Sequence, residues 1–257
     1  MSTNPYAPPT AQVADETLIR ANFIPGGQSV AAGRGWAWIA EGWGLFTRQP
    51  AMWIGIILLL FVIFIGAALI PFIGGLLMTL FGPVFGAGVV IGCKALDEGG
   101  ELEIGHLFAG FRERTGTLVG VGALYLAATV VIMLAVGVVM GAGMFAMMGG
   151  GGDPRAMAAM GMTMVLAVLV AFALMLPVVM AVWFAAPLVV FHEQGAFEAM
   201  KASFLGCLKN IIPFLIYGAV LFVFSIIASL PLLLGWLVLG PVLAASLYTG
   251  YRDIYLK

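Results

Sequence analysis

Sulfur and imidazole groups are the side chains in this sequence whose types and spacing could do chemistry. Methionines concentrate around one apolar hairpin, between residues 140 and 164. Thioether sulfur is a soft donor that suits Cu(I), whereas methionine also fills irregular apolar gaps. Packing or lipid contact is the interpretation that we favour, and periplasmic copper handling is the weaker alternative. The candidate metal ligands are Met144, Met147, Met148, Met157, Met160 and Met162.

A second set of metal-binding residue types lies at the bends between apolar runs: Cys93, His106, His192 and Cys207. These types suit a Cys2His2 zinc site, but their spacing matches no compact zinc motif. We interpret them as packed thiols and interfacial imidazoles. The sequence also contains no GxSxG, HExxH or phosphate-loop motif, so no set of catalytic roles can be assembled. We therefore predict that the protein is not an enzyme and uses no cofactor.

The elements that must position these residues are membrane-spanning helices. The 257 residues are 63% hydrophobic and only 9% charged, whereas soluble domains have roughly 45–50% apolar and about 25% charged residues. No Asp, Glu, Lys, Arg or His lies in the middle of a predicted span, which argues against an ion-coupled transporter. Apolar runs that approach or exceed the length of about 20 residues needed for a crossing predict an all-α polytopic protein with six spans: 51–70, 74–92, 118–140, 156–191, 211–229 and 232–251.

The basic residues predict the orientation of these spans. All lysines and arginines except Arg155 fall on one side of the predicted topology. Loops rich in Lys and Arg remain in the cytoplasm. We therefore expect a bacterial inner-membrane protein with both termini in the cytoplasm.

Amphipathic segments precede the spans on the predicted cytoplasmic side. The first covers residues 33–50, and the second places Ile104, Leu107, Phe108 and Phe111 at helical spacing. The third is a stripe within 197–208. Such helices lie in the membrane interface, where nearby basic side chains meet anionic lipid headgroups. Membrane lipids are thus expected partners, through Arg48, Lys94, Arg112, Arg114 and Lys209.

An internal repeat relates these segments and spans. The run GPVFGAGVVIGCKAL (82–96) aligns with GPVLAASLYTGYRDI (240–254), with small residues and a basic residue at matching positions. This predicts three units of an amphipathic helix and two spans, at about 33–96, 101–192 and 195–254. Small residues let helices approach closely within one bundle, or in a homo-oligomer as the alternative. The predicted packing residues are Gly82, Gly86, Gly88, Gly92, Gly240 and Ala244.

The chain divides into a predicted tail, 1–32, and a transmembrane domain, 33–257. The tail is polar and rich in Pro, Ser and Thr, so we expect it to be disordered and cytoplasmic. Its segment NPYAPP, from Asn4 to Pro9, suits a polyproline II conformation that a protein partner could bind. We expect no nucleic-acid partner. Within the domain, the 118–191 hairpin contains runs longer than one bilayer crossing.

These motifs carry a family resemblance. The NPYAPP tail, GRGWAWIAEGW, GPVFGAG, HLFAGFR and the final GPVLAASLYTGYRDIY resemble an uncharacterised family of proteobacterial integral membrane proteins, known as a domain of unknown function. The layout is distantly similar to the membrane domain of some glycerophosphodiester phosphodiesterases. The catalytic domain of those enzymes has no counterpart here, so the resemblance implies an inner-membrane location and no activity.

Two functions from different classes remain open at this point. The leading hypothesis is a non-enzymatic inner-membrane protein of envelope or lipid homeostasis that acts through its helix bundle and cytoplasmic amphipathic helices. The alternative is a transporter or channel for a small uncharged or apolar substrate. A polar cavity between the spans would favour the transporter, and lipid binding at the bends would favour the first hypothesis.

Overall fold

The computed structural model of the protein describes residues 22–149 and 153–257, which are helical with no β-strand. An isolated antiparallel bridge joins Phe23 and Leu256. The helices are α1 (Arg34–Arg48), α2 (Pro50–Ala68), α3 (Ile73–Asp97), a 3-10 helix (Ile104–Phe111), α4 (Thr115–Gly149), α5 (Pro154–Trp183), α6 (Ala185–His192), α7 (Ala196–Lys209), α8 (Ile211–Ser229) and α9 (Trp236–Tyr255).

Proline and capping residues explain several helix boundaries. Pro50 and Pro154 occupy the first turns of α2 and α5, where a missing N–H costs nothing. The Asp153 side chain accepts a hydrogen bond from the Arg155 N–H and caps α5. The break between α5 and α6 at Phe184 lies just before Pro187, which thereby falls in the first turn of a new helix.

Five stretches among the described residues are long and apolar enough to cross a membrane. They are Pro50–Ala68, Ile73–Asp97, Thr115–Gly149, Met157–His192 and Ile211–Ser229. The sixth predicted span, 232–251, differs from the expectation: α9 begins at Trp236 and its last turn contains Arg252 and Asp253. These charges, and the turn at its start, leave α9 less apolar than the other five.

Helix α9 is the central helix of the fold. None of its residues from Leu239 to Tyr255 is exposed. Helix α1 packs on it most extensively and runs antiparallel, because Arg34 pairs with Asp253 and the Thr249 hydroxyl donates to the Trp38 carbonyl. Charged residues gather where α3 and α9 end, and we call this the charged end of the bundle.

Each long helix that approaches the charged end packs on a short helix. Helix α3 packs on the 3-10 helix, α5 and α6 pack on α7, and α9 packs on α1. The second predicted amphipathic segment forms a 3-10 helix rather than an α-helix, and the residues of its apolar stripe do not all face the same way. Leu107 is buried on α3, whereas Phe108 and Phe111 remain partly exposed and contact Phe85.

The opposite end of the bundle, which we call the far end, exposes apolar side chains. Phe61, Val138, Phe145 and Phe172 are all more than half exposed, and so is Leu232 in the turn before α9. Aliphatic and aromatic surface of this extent is stable in a hydrocarbon environment. The α4–α5 hairpin forms much of it, with helices of 35 and 30 residues.

The described part of the predicted tail is held in place. The Ile24 N–H donates to the Tyr255 carbonyl at 2.8 Å, and the Gln28 N–H donates to the Ile254 carbonyl at 2.8 Å. Residues 22–32, which the composition placed in the disordered tail, therefore form a strap along the end of α9. The composition could not reveal this, because these two bonds join backbone groups of residues that are distant in sequence. Residues 1–21, with the Asn4 to Pro9 segment, lie outside the described residues.

Candidate functional site

The main candidate site is an apolar cleft in the middle of the bundle. It has a volume of about 520 Å³ and lies between α2, α3, α4, α5, α6 and α9. Clefts of roughly 300–1,000 Å³ are the size class that holds small ligands. We call it the central cleft, and its wall includes Leu60, Phe64, Phe85, Val89, Val179 and Leu247.

The proline bend of α3 forms one side of the central cleft. Gly82, Pro83 and Gly86 line it, and a Cβ on Gly82 would meet no atom within 4 Å. A proline at 83 removes a backbone hydrogen bond to the carbonyl of Thr79. Gly122 of α4 packs against that carbonyl, because a Cβ there would lie 2.7 Å from its oxygen. Small residues on α3 and α4 thus keep the cleft open and its edge closely packed.

Two hydrogen-bond donors interrupt the apolar wall. Tyr125 of α4 and Trp183 of α5 line the central cleft. Within the described residues, neither the Tyr125 hydroxyl nor the Trp183 indole N–H has a hydrogen-bond partner. Among the residues that the structure describes, no Asp, Glu, Lys, Arg or His lines the cleft. The site can therefore bind an apolar group and satisfy an acceptor, but it offers no charge.

A chain of alternating charges closes the bundle at the charged end. Arg34 pairs with Asp253 and, at 2.8 Å, with Glu41. Arg252 pairs with Glu41 at 3.0 Å and with Asp97 at 2.6 Å. We call these five residues the charge chain; it connects α1, α3 and α9. The hydrogen bond that the Arg34 guanidinium donates to the Asp253 carboxylate is the main cause that raises the pKa of Arg34 above its ordinary value.

The strap is fastened at the same end. The Lys209 ammonium donates to the carbonyls of Gly26 and Gly27, at 3.0 and 2.7 Å. The buried Asn210 donates its amide to the Gln28 carbonyl at 2.8 Å. A solvated tail would need none of these bonds, so the strap is an integral part of the charged end.

The five predicted lipid-contact residues have different environments. Lys209 binds the strap, and Arg48 donates to the Leu96 carbonyl. Arg114 pairs with Glu193 at 3.0 Å, and Lys94 pairs with Glu98 at 3.2 Å. Arg112 is exposed. Four of the five thus have bonding partners within the protein, which the sequence pattern did not reveal.

The predicted packing residues also differ among themselves. An added Cβ on Gly88 would lie 2.4 Å from the carbonyl oxygens of His106 and Leu107. On Gly92 it would lie 2.5 Å from Leu102. Both glycines therefore admit the 3-10 helix and its preceding loop, rather than another span. The others leave ordinary contacts or open space: Gly82 and Gly86 line the central cleft with Ala244, and Gly240 faces Ile57.

The predicted soft-metal residues lie at the far end of the α4–α5 hairpin. Met148 and Met162 are more than two-thirds exposed, and Met144 and Met157 more than half. Met147 is also exposed and Met160 is half-buried. Such exposure is what lipid-facing methionines require.

Within the described residues, no three His, Cys, Asp or Glu side chains form a group that could hold a metal ion, so the four residue types of the Cys2His2 alternative are not brought together. Cys207 is buried and donates to the Met180 carbonyl, and burial raises the pKa of its thiol to about 12. His192 stacks on Phe23, with ring centroids 3.8 Å apart. These side chains serve packing at the charged end.

Sequence reasoning missed the two donors in the cleft and the charge chain. Tyr125 left a signal, because it is the only tyrosine in the predicted span 118–140. Trp183 left none, because it is one of several aromatic residues in its part of the sequence. The charge chain left none, since Glu41, Asp97 and Arg252 are distant in sequence and come together only when α1 crosses α9.

Comparison with known proteins supports the membrane assignment. A probable inner membrane protein of Burkholderia thailandensis is 28% identical to the chain over 227 residues, or 85% of this chain and 82% of that protein. The chain is a multi-pass inner-membrane protein. No family model matches it, and no solved structure matches it significantly. The similarity to the membrane domain of glycerophosphodiester phosphodiesterases therefore stays a prediction.

Proposed function

We propose that the protein acts without catalysis in lipid or envelope homeostasis, by holding the apolar part of a membrane lipid in the central cleft. The observation that carries this proposal is the chemistry of the wall, which is apolar apart from two donors and contains no charged residue from the described part of the chain. A cleft between membrane-spanning helices is reached from the hydrocarbon of the bilayer. The most abundant apolar molecules in a bilayer are lipids, and burial of lipid chains in a cleft needs no specific polar contact.

The proposal includes the topology that the sequence predicted. Helix α9 has 20 residues, and a helix of that length spans about 30 Å, the thickness of the hydrocarbon core. We assign it as a sixth span whose charged last turn stands in the cytoplasmic interface. The charge chain and the strap then lie on the cytoplasmic side, with both termini.

Three repeats fit the pairing of long and short helices. The last span of each predicted unit packs on the short helix of the next unit: α3 on the 3-10 helix, α6 on α7, and α9 on α1. The close approaches also correspond. A Cβ on Gly110 would meet the Val84 carbonyl, and one on Gly42 would meet the Val242 carbonyl. Val84 and Val242 align in the two copies of the Gly-Pro motif, which supports equivalent junctions between the first and second units and between the third and first units.

A transporter or channel for a small uncharged or apolar substrate is the second candidate, and the same central cleft favours it. The two candidates differ in what the cleft must do. Lipid binding needs only an opening towards the bilayer, whereas transport needs access from both sides of the membrane. Uptake of an uncharged solute into proteoliposomes, compared with empty vesicles, tests this candidate.

Copper handling remains the weaker alternative, supported by the grouped thioethers at the far end. Replacement of the six candidate methionines by leucine tests it. Copper handling requires that the parent bind Cu(I) more tightly than the substituted protein. Equal affinities in a competition titration would exclude it.

Native mass spectrometry of gently solubilised protein tests the leading proposal. We expect the parent to retain lipid and the Gly82→Leu variant to lose most of it, because the new side chain enters the central cleft. Gly218→Leu is the matched control, since Gly218 lies on the exposed side of α8 with open space around it. Equal lipid retention in a folded Gly82→Leu variant would refute the proposal. The same spectra report whether the protein is a homo-oligomer.

A further inference from the structure

We infer that the central cleft selects an uncharged lipid with a hydrogen-bond acceptor, such as a carbonyl oxygen, within its apolar body, and that Tyr125 and Trp183 bind this acceptor. The inference rests on the proposed function and adds the class of lipid. Its starting point is the pair of unpaired donors in a wall that is otherwise apolar. Polar groups removed from water nearly always have partners.

The two donors lie at similar distances along their helices from the charged end. Tyr125 is ten residues into the bundle from the start of α4 at Thr115, which corresponds to about 15 Å of helix. Trp183 is the last residue of α5, and beyond the break at Phe184 the eight residues of α6 cover about 12 Å to His192. The ion pair between Arg114 and Glu193 joins these two helix ends, so both depths are measured from one level.

This depth decides which partner the donors can have. The hydrocarbon core is about 30 Å thick, so a point about 15 Å from the charged end lies well inside it. Water is scarce there, so a donor that has no partner is destabilising. A phospholipid places its charged headgroup and its ester groups at the interface, about a half-thickness away. An acceptor in the middle of the hydrocarbon must instead belong to a lipid that carries it within its apolar body.

The charge of the ligand follows from the wall. In the described ranges 22–149 and 153–257, no Lys, Arg or His lines the central cleft to balance an anion, and no Asp or Glu lines it to balance a cation. A charge at that depth without a partner is strongly disfavoured. The ligand group near Tyr125 is therefore neutral and accepts rather than donates, because an indole N–H can only donate.

A matched pair of probes tests the inference on the full-length protein in detergent. The probes are 8-pentadecanone, with a carbonyl at mid-chain, and pentadecane, which has none. The protein is heated with a thiol-reactive dye, which labels Cys93 and Cys207 only when unfolding exposes these buried thiols. We measure how far each probe raises the temperature at which labelling occurs. One hydrogen bond predicts that the ketone binds about fivefold to tenfold more tightly than the alkane.

Variants assign the preference to its residues. Tyr125→Phe and Trp183→Phe should each reduce the ketone preference and leave alkane binding unchanged. Tyr217→Phe is the control, because its hydroxyl bonds Ser246 outside the cleft; it should keep the preference. Equal binding of ketone and alkane by the parent, or an unchanged preference in Tyr125→Phe, would overturn the inference and leave the proposed function standing. Absence of protection by either probe, with no retained lipid, would refute both.

Discussion

The contact between α3 and the 3-10 helix gives the sharpest prediction, because two glycines of one helix should respond oppositely to alanine. An added Cβ on Gly88 would lie 2.4 Å from two carbonyl oxygens, whereas one on Gly86 would lie 3.9 Å from the Ala186 Cβ. The first distance requires the backbone of the 3-10 helix to move. The second is an ordinary van der Waals contact.

The expected magnitudes follow from two opposing effects. Alanine is favoured over glycine in a helix by about 1 kcal/mol, so Gly86→Ala should raise the free energy of unfolding by about that amount. Forced overpacking costs about 1–3 kcal/mol. We take the upper limit for Gly88→Ala, because the backbone atoms of His106 and Leu107 cannot rotate away, and expect a net loss of about 2 kcal/mol. The two variants should then differ by about 3 kcal/mol.

The two buried thiols supply the assay. Cys93 lies on α3, close to Gly88, and Cys207 lies on α7, so a thiol-reactive dye reports exposure at two places during heating. A shift of about 2–4 °C per kcal/mol predicts labelling midpoints about 6–12 °C apart. Coincident midpoints would show that the 3-10 helix does not approach α3 as closely as described. Midpoints in the reverse order would refute the reasoning completely.

Three further predictions test other parts of the molecule. Glu41→Gln should lower the free energy of unfolding by about 1 kcal/mol, the magnitude of a partly exposed ion pair, because Glu41 and its partner Arg252 are 31% and 39% exposed. The loss should shrink as the salt concentration rises in a series of thermal unfolding measurements. A salt-independent loss would contradict the ion pairing. Burial raises the Cys207 pKa from 9.0 to about 12, so the contribution of the buried neutral thiol to stability is complete below pH 9 and is lost as pH rises towards 12. The unfolding midpoint should therefore fall more between pH 9 and 11 in the parent than in Cys207→Ala. Parallel curves for the two proteins would contradict this. A reporter fused after Lys257 should be active in the cytoplasm, whereas cysteine at Asp153 should react with an impermeant reagent from the periplasm; the reverse pattern would overturn the orientation.

Hydropathy predicted the spans because lipid imposes its constraint on each helix separately. A run of apolar residues must be helical in hydrocarbon whatever its neighbours are, so the candidate spans Pro50–Ala68 and Ile211–Ser229 agree with the predicted 51–70 and 211–229 almost residue for residue. The prediction weakened at α9, which is shielded by other helices. A helix that does not face lipid along its length need not be uniformly apolar, and its hydropathy then predicts its bounds less well.

The pairing of helices could not be predicted in the same way, because it depends on contacts between distant residues. Small residues marked Gly88 and Gly92 as close-packing positions, but their partner is the 3-10 helix rather than a span. The bulky stripe of the third segment was equally ambiguous. Phe197 and Leu208 face outwards, and the buried face of α7 consists of small residues such as Ala199 and Ser203. In lipid, large apolar side chains gain little by burial, so small residues make the helix contacts.

The charge chain and the central cleft act on the same two helices. Helix α3 contributes Gly82 to the cleft and Asp97 to the charge chain, while α9 contributes Leu247 and Arg252. The bond between Asp97 and Arg252 therefore holds the two cleft walls together at the charged end. Towards the far end, the same two helices expose apolar side chains, such as Ile73 of α3 and Trp236 of α9. The bundle therefore combines a polar, ion-paired end with an apolar cleft and an apolar far end, and both the ion pair and the cleft involve α3 and α9.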